Sequence, residues 1–436
     1  MAMDIGKMKS KSRTNLYKGK RFLLTHWALA VLGGSENNIL QMAEYIKDQG
    51  GLVEFFTYAL DDPLRTIINE KNIGVRVDDI DLLDQAQKTT IKYDLNSIDY
   101  VVVCQNVLPI DVIKQLNSKN ITTKFIFLHM SSFVGIAMES PLFYNLESQI
   151  ASKILTISEE TTTEQLERLL GKNIQNLNYY RNPVPDDFID RAQRIDYPDM
   201  PKKIAVISNH LPEEVRNLAY EPTLRDNKVE IEFIGRRSNN PQLVTAELLS
   251  KYDVIVSIGK TVQYCLVMGI PVYVYDRFGG QGYIRDYDAA KQRNFSGRDA
   301  GKKTTRVIAN ELLKNYKAAV EYQSSTIESF RKEFLLSNVI ASVFDDKNDR
   351  ILNNKFSEQY INYLISAQLL LKEKYSTMVY AGNIQKDLVR IDSQVTLLRK
   401  ELLDRDSELE SLLSITRSAR LLADNIKRRI KYGIGR

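Results

Sequence analysis

Residues 252–276 read YDVIVSIGKTVQYCLVMGIPVYVYD. An apolar run ends at Gly259, a helical segment opens at Gly259-Lys260-Thr261, and a second apolar run ends at Asp276. Short apolar strands joined by a helix are typical of a parallel sheet that helices cover on both faces. The stretch therefore predicts one β-α-β unit of such a sheet.

The same alternation of apolar runs and helical segments extends over most of the chain. Strand candidates lie at 21–26, 52–60, 73–77, 99–106, 124–130, 153–159, 202–210, 229–236, 252–259 and 271–276. The segment NYYRNPVPDD, residues 178–187, interrupts the alternation with two prolines and a cluster of charges. Because the alternation restarts beyond it, we predict an α/β fold with two doubly wound parallel-sheet domains that face a cleft.

The predicted organisation has six parts. They are a basic N-terminal segment (1–19), an N-terminal Rossmann-like domain (20–183), a C-terminal Rossmann-like domain (184–350), a helix packing back on the body (351–376), a coiled coil (377–416) and a basic amphipathic tail (417–436).

The composition excludes several classes of protein. With 436 residues, 43% hydrophobic and 26% charged, the chain is long enough for two folded domains, and its net charge of +5 does not indicate a nucleic-acid partner. Cys104 and Cys265 both lie in apolar runs and are expected to be buried thiols in a reducing compartment. No metal-binding motif, signal-peptide core or long apolar span is present, so we expect a cytoplasmic protein without a metal.

The three histidines each follow a strand candidate. His26, His129 and His210 stand at the carboxyl ends of runs in both predicted domains. Ligands of open parallel sheets bind beyond the carboxyl ends of the strands, so the placement favours a shared cleft. Three partly buried histidines that cap their strands would give the same pattern.

A cluster of glycines follows the strand candidate that ends at Asp276. The segment VYVYDRFGGQGYI, residues 272–284, contains Gly279, Gly280 and Gly282. Three glycines indicate that the backbone comes close to another group, because glycine lacks side-chain bulk and accepts positive φ. A flexible surface turn would look similar.

Five motifs follow one another along the chain. They are ALAVLGGSENNILQMAEYIKDQG (28–50), ILTISEETTTEQL (154–166), YYRNPVPDDF (179–188), DVIVSIGKTVQYCLVMGIPVYVYDRFGGQGYI (253–284) and NFSGR (294–298). In this order they resemble GT-B glycosyltransferases of the glycogen-synthase-like, family 4 type, in a bacterial surface-polysaccharide subgroup with YDxFGGxGY and NFSGR motifs. The resemblance covers roughly residues 20 to 320 and implies transfer of a sugar from a nucleotide diphosphate sugar, with UDP-sugars favoured, to a lipid-linked or other glycan acceptor.

The resemblance also assigns roles to residues. Helix N-termini stabilise a leaving diphosphate without a metal. The implied catalytic residues are His129 and Asp276. The implied donor-binding residues are Gly33, Gly34, Asn209, His210, Arg236, Gly259, Lys260, Thr261, Phe278, Gly279, Gly280 and Gly282. Read without the resemblance, Lys260 is equally a solvated lysine at a helix start, and Asp276 a turn residue.

One pair of family residues is replaced. The two glutamates of the family's E-x7-E motif fall on Val256 and Tyr264, which makes Gln263 and Tyr264 the local candidates for donor contacts. The replacement keeps a second interpretation open: a catalytically silent GT-B paralogue that binds a nucleotide-sugar or glycan and scaffolds a partner enzyme through its coiled coil. A GT-B epimerase is a third, with no motif that favours it.

The C-terminal region carries a heptad pattern and then a basic stripe. Apolar residues at alternating spacings of four and three occur at Ile384, Leu388, Ile391, Val395, Leu398, Leu402, Leu409 and Leu412, with Arg405 at one core position. This pattern predicts a homo-oligomeric coiled coil over 384–412, although a single helix packed on the body would also fit. Residues 417–436 combine basic and apolar side chains, which favours contact with the anionic inner face of a membrane over a solvated tail or a partner helix.

Overall fold

The structure is a computed structural model that describes residues 15–78, 93–132, 140–190, 197–284, 287–298, 300–344 and 355–375, and scattered helical residues between 377 and 427. Twelve strands, β1 to β12, span Arg21–Leu29, Leu52–Leu60, Gly74–Val77, Tyr100–Cys104, Lys124–His129, Ala151–Thr156, Leu177–Tyr179, Lys203–Ile207, Glu230–Ile234, Val254–Ser257, Val272–Asp276 and Gly279–Tyr283.

The helices fall between the strands as the sequence pattern predicts. Helices α1 to α15 span Gly34–Asp48, Leu64–Glu70, Ile110–Lys114, Tyr144–Ile150, Glu159–Thr161, Arg168–Leu170, Asp187–Asp190, Glu213–Arg216, Pro222–Asp226, Ala246–Leu249, Lys260–Met268, Tyr287–Gln292, Thr305–Lys314, Tyr316–Phe334 and Leu336–Val343. A further helix, α16, occupies 358–375. Among the described residues, no helix combines the length and the apolar character that crossing a membrane requires.

The first sheet is parallel throughout. Its strand order is β3-β2-β1-β4-β5-β6-β7, and the order reverses between β1 and β4. Its central strands are buried on both faces: Val101 and Val103 face one core cluster, whereas Val102 and Cys104 face another. Two-sided burial explains why these strands are continuous apolar runs rather than alternating ones.

The second sheet has the order β12-β11-β10-β8-β9 and is parallel except at one edge. Val272 and Val274 of β11 pack into one core cluster, and Tyr273 and Tyr275 pack into the other. Each sheet and the helices that cover it form one α/β domain. Two such domains that face each other across a cleft form the GT-B arrangement. The predicted fold class is confirmed.

The glycine-rich segment after β11 is a strand rather than an open turn. β12, Gly279–Tyr283, pairs antiparallel with β11, and the register shifts between Val274 and Asp276. The sequence does not predict this strand, because glycine is rare in strands. β12 therefore forms the antiparallel edge of the second sheet.

The chain crosses between the two domains twice. The first crossing is the segment around Val184, and the second lies between α14 and α15. The two crossings are hydrogen-bonded to each other: Val184 donates its N–H to the carbonyl of Phe334 at 2.7 Å, and Leu336 donates to the carbonyl of Val184 at 2.8 Å.

Beyond the second crossing, α15 and α16 both pack on the first domain. Leu336, Ile340 and Val343 of α15 join one of its core clusters, and Leu364 and Tyr375 of α16 join the other. The chain thus returns to the first domain from residue 336. The predicted end of the second domain is residue 350.

Residues 376–436 form a separate unit. The described residues in this unit are helical, and the heptad residues Ile391, Val395 and Leu398 are 50%, 39% and 58% exposed. The other predicted heptad positions, Ile384, Leu388, Leu402, Leu409 and Leu412, lie outside the described residues, as do residues 1–14 and 428–436.

Candidate functional site

A cavity of about 350 Å³ lies between the two domains at the carboxyl ends of their strands. Nine of the residues implied by the sequence line it: Gly33, Gly34, Asn209, His210, Gly259, Lys260, Thr261, Tyr264 and Asp276. Asn38, Asn182, Ser208, Gln242 and Asn294 also line it and were not anticipated. His129, Arg236, Gln263, Phe278, Gly279, Gly280 and Gly282 are not part of this lining.

Two helices, one from each domain, begin at the cavity. Gly33 is the N-cap of α1, and Gly259, at a φ of 59°, is the N-cap of α11. A Cβ placed on Gly34 or on Gly259 would meet nothing within 4 Å, so both glycines face open space. Helix N-termini present unsatisfied N–H groups and a partial positive charge, which together favour an anion.

No side chain caps the start of α1, where Gly33 takes the N-cap position. The Ser35 hydroxyl instead donates to the Glu36 carboxylate at 2.7 Å, and that carboxylate folds back against Gly33.

Lys260 places a buried amine at the cavity. Its Nζ donates to the Asn38 side-chain carbonyl of α1 and, at 3.0 Å, to the backbone carbonyl of Pro183. The side chain is 8% exposed, and its Nζ lies 5.4 Å from the centre of the Tyr264 ring. Burial holds the pKa of the Lys260 amine well below its ordinary range. The alternative of a solvated helix-start lysine is therefore wrong, because the first domain covers this end of α11.

A chain of amide side chains continues from Lys260. Asn38 donates to Asn182 at 2.6 Å, Asn182 donates to Asn294 at 2.7 Å, and Gln263 donates to Asn294 at 3.1 Å. These residues come from α1, the interdomain segment, the NFSGR motif and α11. This network of uncharged side chains therefore connects the two domains beside the cavity.

Tyr264 holds the domains together at the same place. Its ring stacks on Phe188 at 4.5 Å, and its hydroxyl accepts a hydrogen bond from Gln41 of α1 at 2.8 Å. Burial raises the pKa of the Tyr264 hydroxyl, which stays neutral. Tyr264 stands where the resemblance places a carboxylate, and in this structure its hydroxyl is engaged by the opposite domain.

Asp276 is a buried carboxylate at the end of β11. It accepts a hydrogen bond from the Ser208 hydroxyl at 2.8 Å, and that hydroxyl also accepts the backbone N–H groups of His210 and Leu211, each at 3.0 Å. Asp276 is 2% exposed, so it is a held carboxylate rather than a solvated turn residue. A fixed carboxylate in a cavity can accept a hydrogen bond from a ligand hydroxyl.

The three histidines have different environments. His26 lies inside β1 rather than at its end, and burial lowers its pKa. His210 lines the cavity 3.4 Å from the Arg277 guanidinium, and burial together with that cation lowers its pKa. His129 ends β5, and its Nε2 lies 2.6 Å from the buried Glu147 carboxylate. Only His210 of the three therefore lines the described cavity.

Gly279 and Gly280 lie close to other backbone segments of the protein. A Cβ on Gly279 would lie 1.9 Å from the carbonyl oxygen of Gly301, and one on Gly280 would lie 1.9 Å from the carbonyl oxygen of Val274. A Cβ on Gly297, of the NFSGR motif, would lie 2.5 Å from the carbonyl oxygen of Gly279. The glycine-rich segment and the segment 297–301 therefore pack backbone against backbone.

The remaining residues of this edge also make contacts within the protein. The Phe278 ring lies 4.6 Å from the Arg277 guanidinium and 5.3 Å from that of Arg298. Arg298 in turn bonds Ser132 of the first domain at 2.5 Å. The backbone N–H of Arg236 donates to Asn209 at 3.1 Å. Donor contacts by Arg236, Phe278 and the three glycines remain predictions.

The structure contains no candidate metal centre among the residues it describes, since no group of three or more histidine, cysteine or acidic side chains lies together there. Cys104 and Cys265 are both buried thiols and are not joined in a disulfide.

Solved structures similar to this one come from several enzyme classes. A glycosyltransferase from Rickettsia africae ESF-5 is 13% identical, with 75% of this chain and 97% of that chain covered and a TM-score of 0.49. Anabaena Alr3699/HepE in complex with UDP-glucose is 12% identical, with 71% and 99% covered and a TM-score of 0.39. A putative UDP-N-acetylglucosamine 2-epimerase from Listeria monocytogenes is 12% identical, with 77% and 99% covered and a TM-score of 0.44.

No family model matches the sequence, and no curated protein matches it. The fold assignment therefore rests on the strand orders and the two-domain arrangement of this chain.

Proposed function

We propose that this protein is a glycosyltransferase that transfers a sugar from a nucleotide diphosphate sugar, with UDP-sugars favoured, to a glycan acceptor. One observation carries the proposal: two helix N-termini and the buried side-chain amine of Lys260 converge on one interdomain cavity. Departure of the sugar leaves a diphosphate, and fixed positive groups in a site shielded from water stabilise such a charge. No metal is needed in this scheme.

The remaining roles follow from the contacts of each group. Asp276, held by Ser208, accepts a hydrogen bond from a donor hydroxyl. The acceptor hydroxyl loses its proton to the leaving phosphate or to His129, whose Nε2 is engaged by Glu147 so that Nδ1 is the exchanging nitrogen. The acceptor is proposed to be lipid-linked, in the assembly of a bacterial surface polysaccharide.

A thermal-shift panel of UDP, GDP, dTDP and CMP tests the donor site. A nucleotide at a hundred times its Kd stabilises the folded protein by about 2.7 kcal/mol, so we expect a raised Tm with a nucleoside diphosphate, UDP above all. The shift should persist in EDTA and should vanish in Lys260→Met. Release of free sugar from the matching donor then measures turnover. If none of the four nucleotides raises Tm, the donor-site proposal fails.

The second candidate is the catalytically silent paralogue. Its support is that Val256 and Tyr264 replace the family's two carboxylates and that the Tyr264 hydroxyl bonds Gln41. Binding of a nucleotide without hydrolysis or transfer of any donor sugar would favour this function over the enzyme.

We also propose that the C-terminal unit forms a homo-oligomer through 384–412. The exposed heptad residues Ile391, Val395 and Leu398 support this, since an apolar heptad stripe is stable in water only when it is covered. Deleting residues 377–436 should reduce the mass measured by light scattering to that of one chain and leave nucleotide binding unchanged. The same mass per particle with and without this unit would contradict the proposed oligomer.

The basic tail, residues 417–436, is proposed to hold this cytoplasmic protein at the inner face of the membrane. The described helical residues of this segment include Arg417, Arg420, Lys427 and Leu421. The Leu421 side chain is 66% exposed. Basic side chains beside an apolar stripe suit an anionic lipid surface.

A further inference from the structure

The partners of the Lys260 amine are two neutral oxygens. One belongs to Asn38 of the first domain and the other to Pro183 of the first interdomain crossing. Among the described residues, no carboxylate lies within ion-pair distance of Nζ, and a protonated amine has three N–H donors. Without a ligand, the cavity therefore offers a protonated Lys260 amine two carbonyl dipoles and no carboxylate to balance its charge.

Two charged groups of the elements around Lys260 are engaged elsewhere. On α1, the Glu36 carboxylate accepts the Ser35 hydroxyl, and on the first crossing the Arg181 guanidinium pairs with Glu159. Two ionisable groups of the second domain share the cavity: Asp276, which is bonded to Ser208, and His210, which lies beside Arg277.

Side chains that touch Lys260 or continue its network are uncharged. They are Tyr264, whose hydroxyl stays neutral, and the amides Asn38, Asn182, Asn294 and Gln263. The charge state of the amine is thus set by burial and by whatever enters the cavity.

We propose that the cavity takes up its anionic ligand together with one proton, which the Lys260 amine binds. The inference deepens the proposed function, because the anion in question is the nucleotide diphosphate. In the free protein the amine is neutral; on binding, the nitrogen lone pair accepts a proton from solvent, and the ammonium pairs with a phosphate oxygen. No other bond forms or breaks.

The physical basis is the cost of a buried charge. Burial disfavours the ammonium, and an adjacent anion reverses that preference by supplying the missing counter-charge. The burial-lowered pKa of Lys260 agrees with a neutral amine in the empty cavity. Proton uptake makes affinity depend on pH: it falls by up to about tenfold per unit between the pKa values of the amine in the free and bound protein.

Calorimetry of the full-length chain with UDP measures the proton directly. Titrations at about pH 8.5, where the second phosphate ionisation near pKa 6 is complete, are run in two buffers with different heats of ionisation. The difference in apparent binding enthalpy gives the number of protons taken up, and we expect a value close to one, with affinity falling as pH rises. Where UDP gives no heat, GDP and dTDP are titrated under the same conditions, and then inorganic sulfate, which does not titrate in this range.

Two variants separate the amine from other groups. Lys260→Arg carries a guanidinium that remains protonated in proteins, so its binding should take up no proton and show a flat pH dependence. Asn38→Asp places a carboxylate beside the amine in the free protein, so the amine should already be protonated before UDP is added. This variant should therefore bind UDP more weakly and take up less than one proton. Because Asn38→Asp keeps the side-chain shape, it tests the proposal even if Lys260→Arg does not fold.

The outcomes are separable from those of the proposed function. Proton-coupled binding of UDP or sulfate without sugar transfer would support the inference and reject the enzyme. Binding with no proton uptake in the wild-type chain, equal uptake in Lys260→Arg and wild type, or no binding by any of these anions would each overturn it.

Discussion

Replacing Gly280 by alanine is expected to lower the free energy of unfolding by about 3 kcal/mol, at the upper end of the range for overpacked sites. The added Cβ would lie 1.9 Å from the carbonyl oxygen of Val274 and 2.7 Å from the Cα of Tyr275. Both obstacles are backbone atoms of the neighbouring strand, so no side-chain rotation relieves the contact. The strand pair β11–β12 must separate or bend to accept the methyl group.

Gly34 provides the matched control. It opens α1, and a Cβ there would meet nothing within 4 Å, so Gly34→Ala should change stability by less than about 0.5 kcal/mol. Denaturant unfolding followed by fluorescence compares the two variants with the wild type. Equal stability of Gly280→Ala and Gly34→Ala would contradict the tight approach of β12 to β11.

The second large effect is on the pH dependence of stability. Burial lowers the pKa of Lys260 in the folded protein relative to the unfolded chain. Between those two pKa values the unfolded state binds more protons, so stability rises with pH, by up to about 1.4 kcal/mol per unit. The gain ends near the unfolded pKa of about 10.4, above which both states are neutral.

Lys260→Met removes the titrating amine and with it this slope. Unfolding free energies of wild type and variant, measured without ligand from about pH 7 to 9.5, should converge or cross, because the wild type alone becomes more stable as pH rises through this window. Lys251→Met, at an exposed lysine, is the control and should run parallel to the wild type. Parallel curves for Lys260→Met would show that the amine stays protonated when buried.

Much of the fold could be predicted from the sequence because the central strands of both sheets are parallel and buried on both faces. Each of the ten predicted apolar runs overlaps a strand of the structure. The two strands missed, β7 and β12, lack that signal: β7 has three residues, and β12 contains Gly279, Gly280 and Gly282. The glycines did indicate a close approach, but their partner at Gly301 cannot be identified from local sequence.

The candidate site was predictable in its glycines and less so in its polar network. Helix-start glycines such as Gly33 and Gly259 carry a local signal that a ligand-binding helix N-terminus shares. Asn38, Asn182 and Asn294 carry none, because isolated asparagines are common in turns and helix starts. The hydrogen bonds of Asn182 to Asn38 and to Asn294 link separate parts of the chain, and the burial of Lys260 depends on the first domain.

The paired crossings at Val184 and Leu335 run side by side and are hydrogen-bonded to each other. Any change in the angle between the domains would therefore bend the chain along this line and could leave both cores intact. Pro183, whose carbonyl accepts from Lys260, is adjacent to this line, and Asn38 of the first domain binds the same amine. An anion that draws the Lys260 amine away from these oxygens would remove two contacts of α11 and leave the Gln41–Tyr264 hydrogen bond in place, so ligand entry would act on the angle between the domains partly through this side chain.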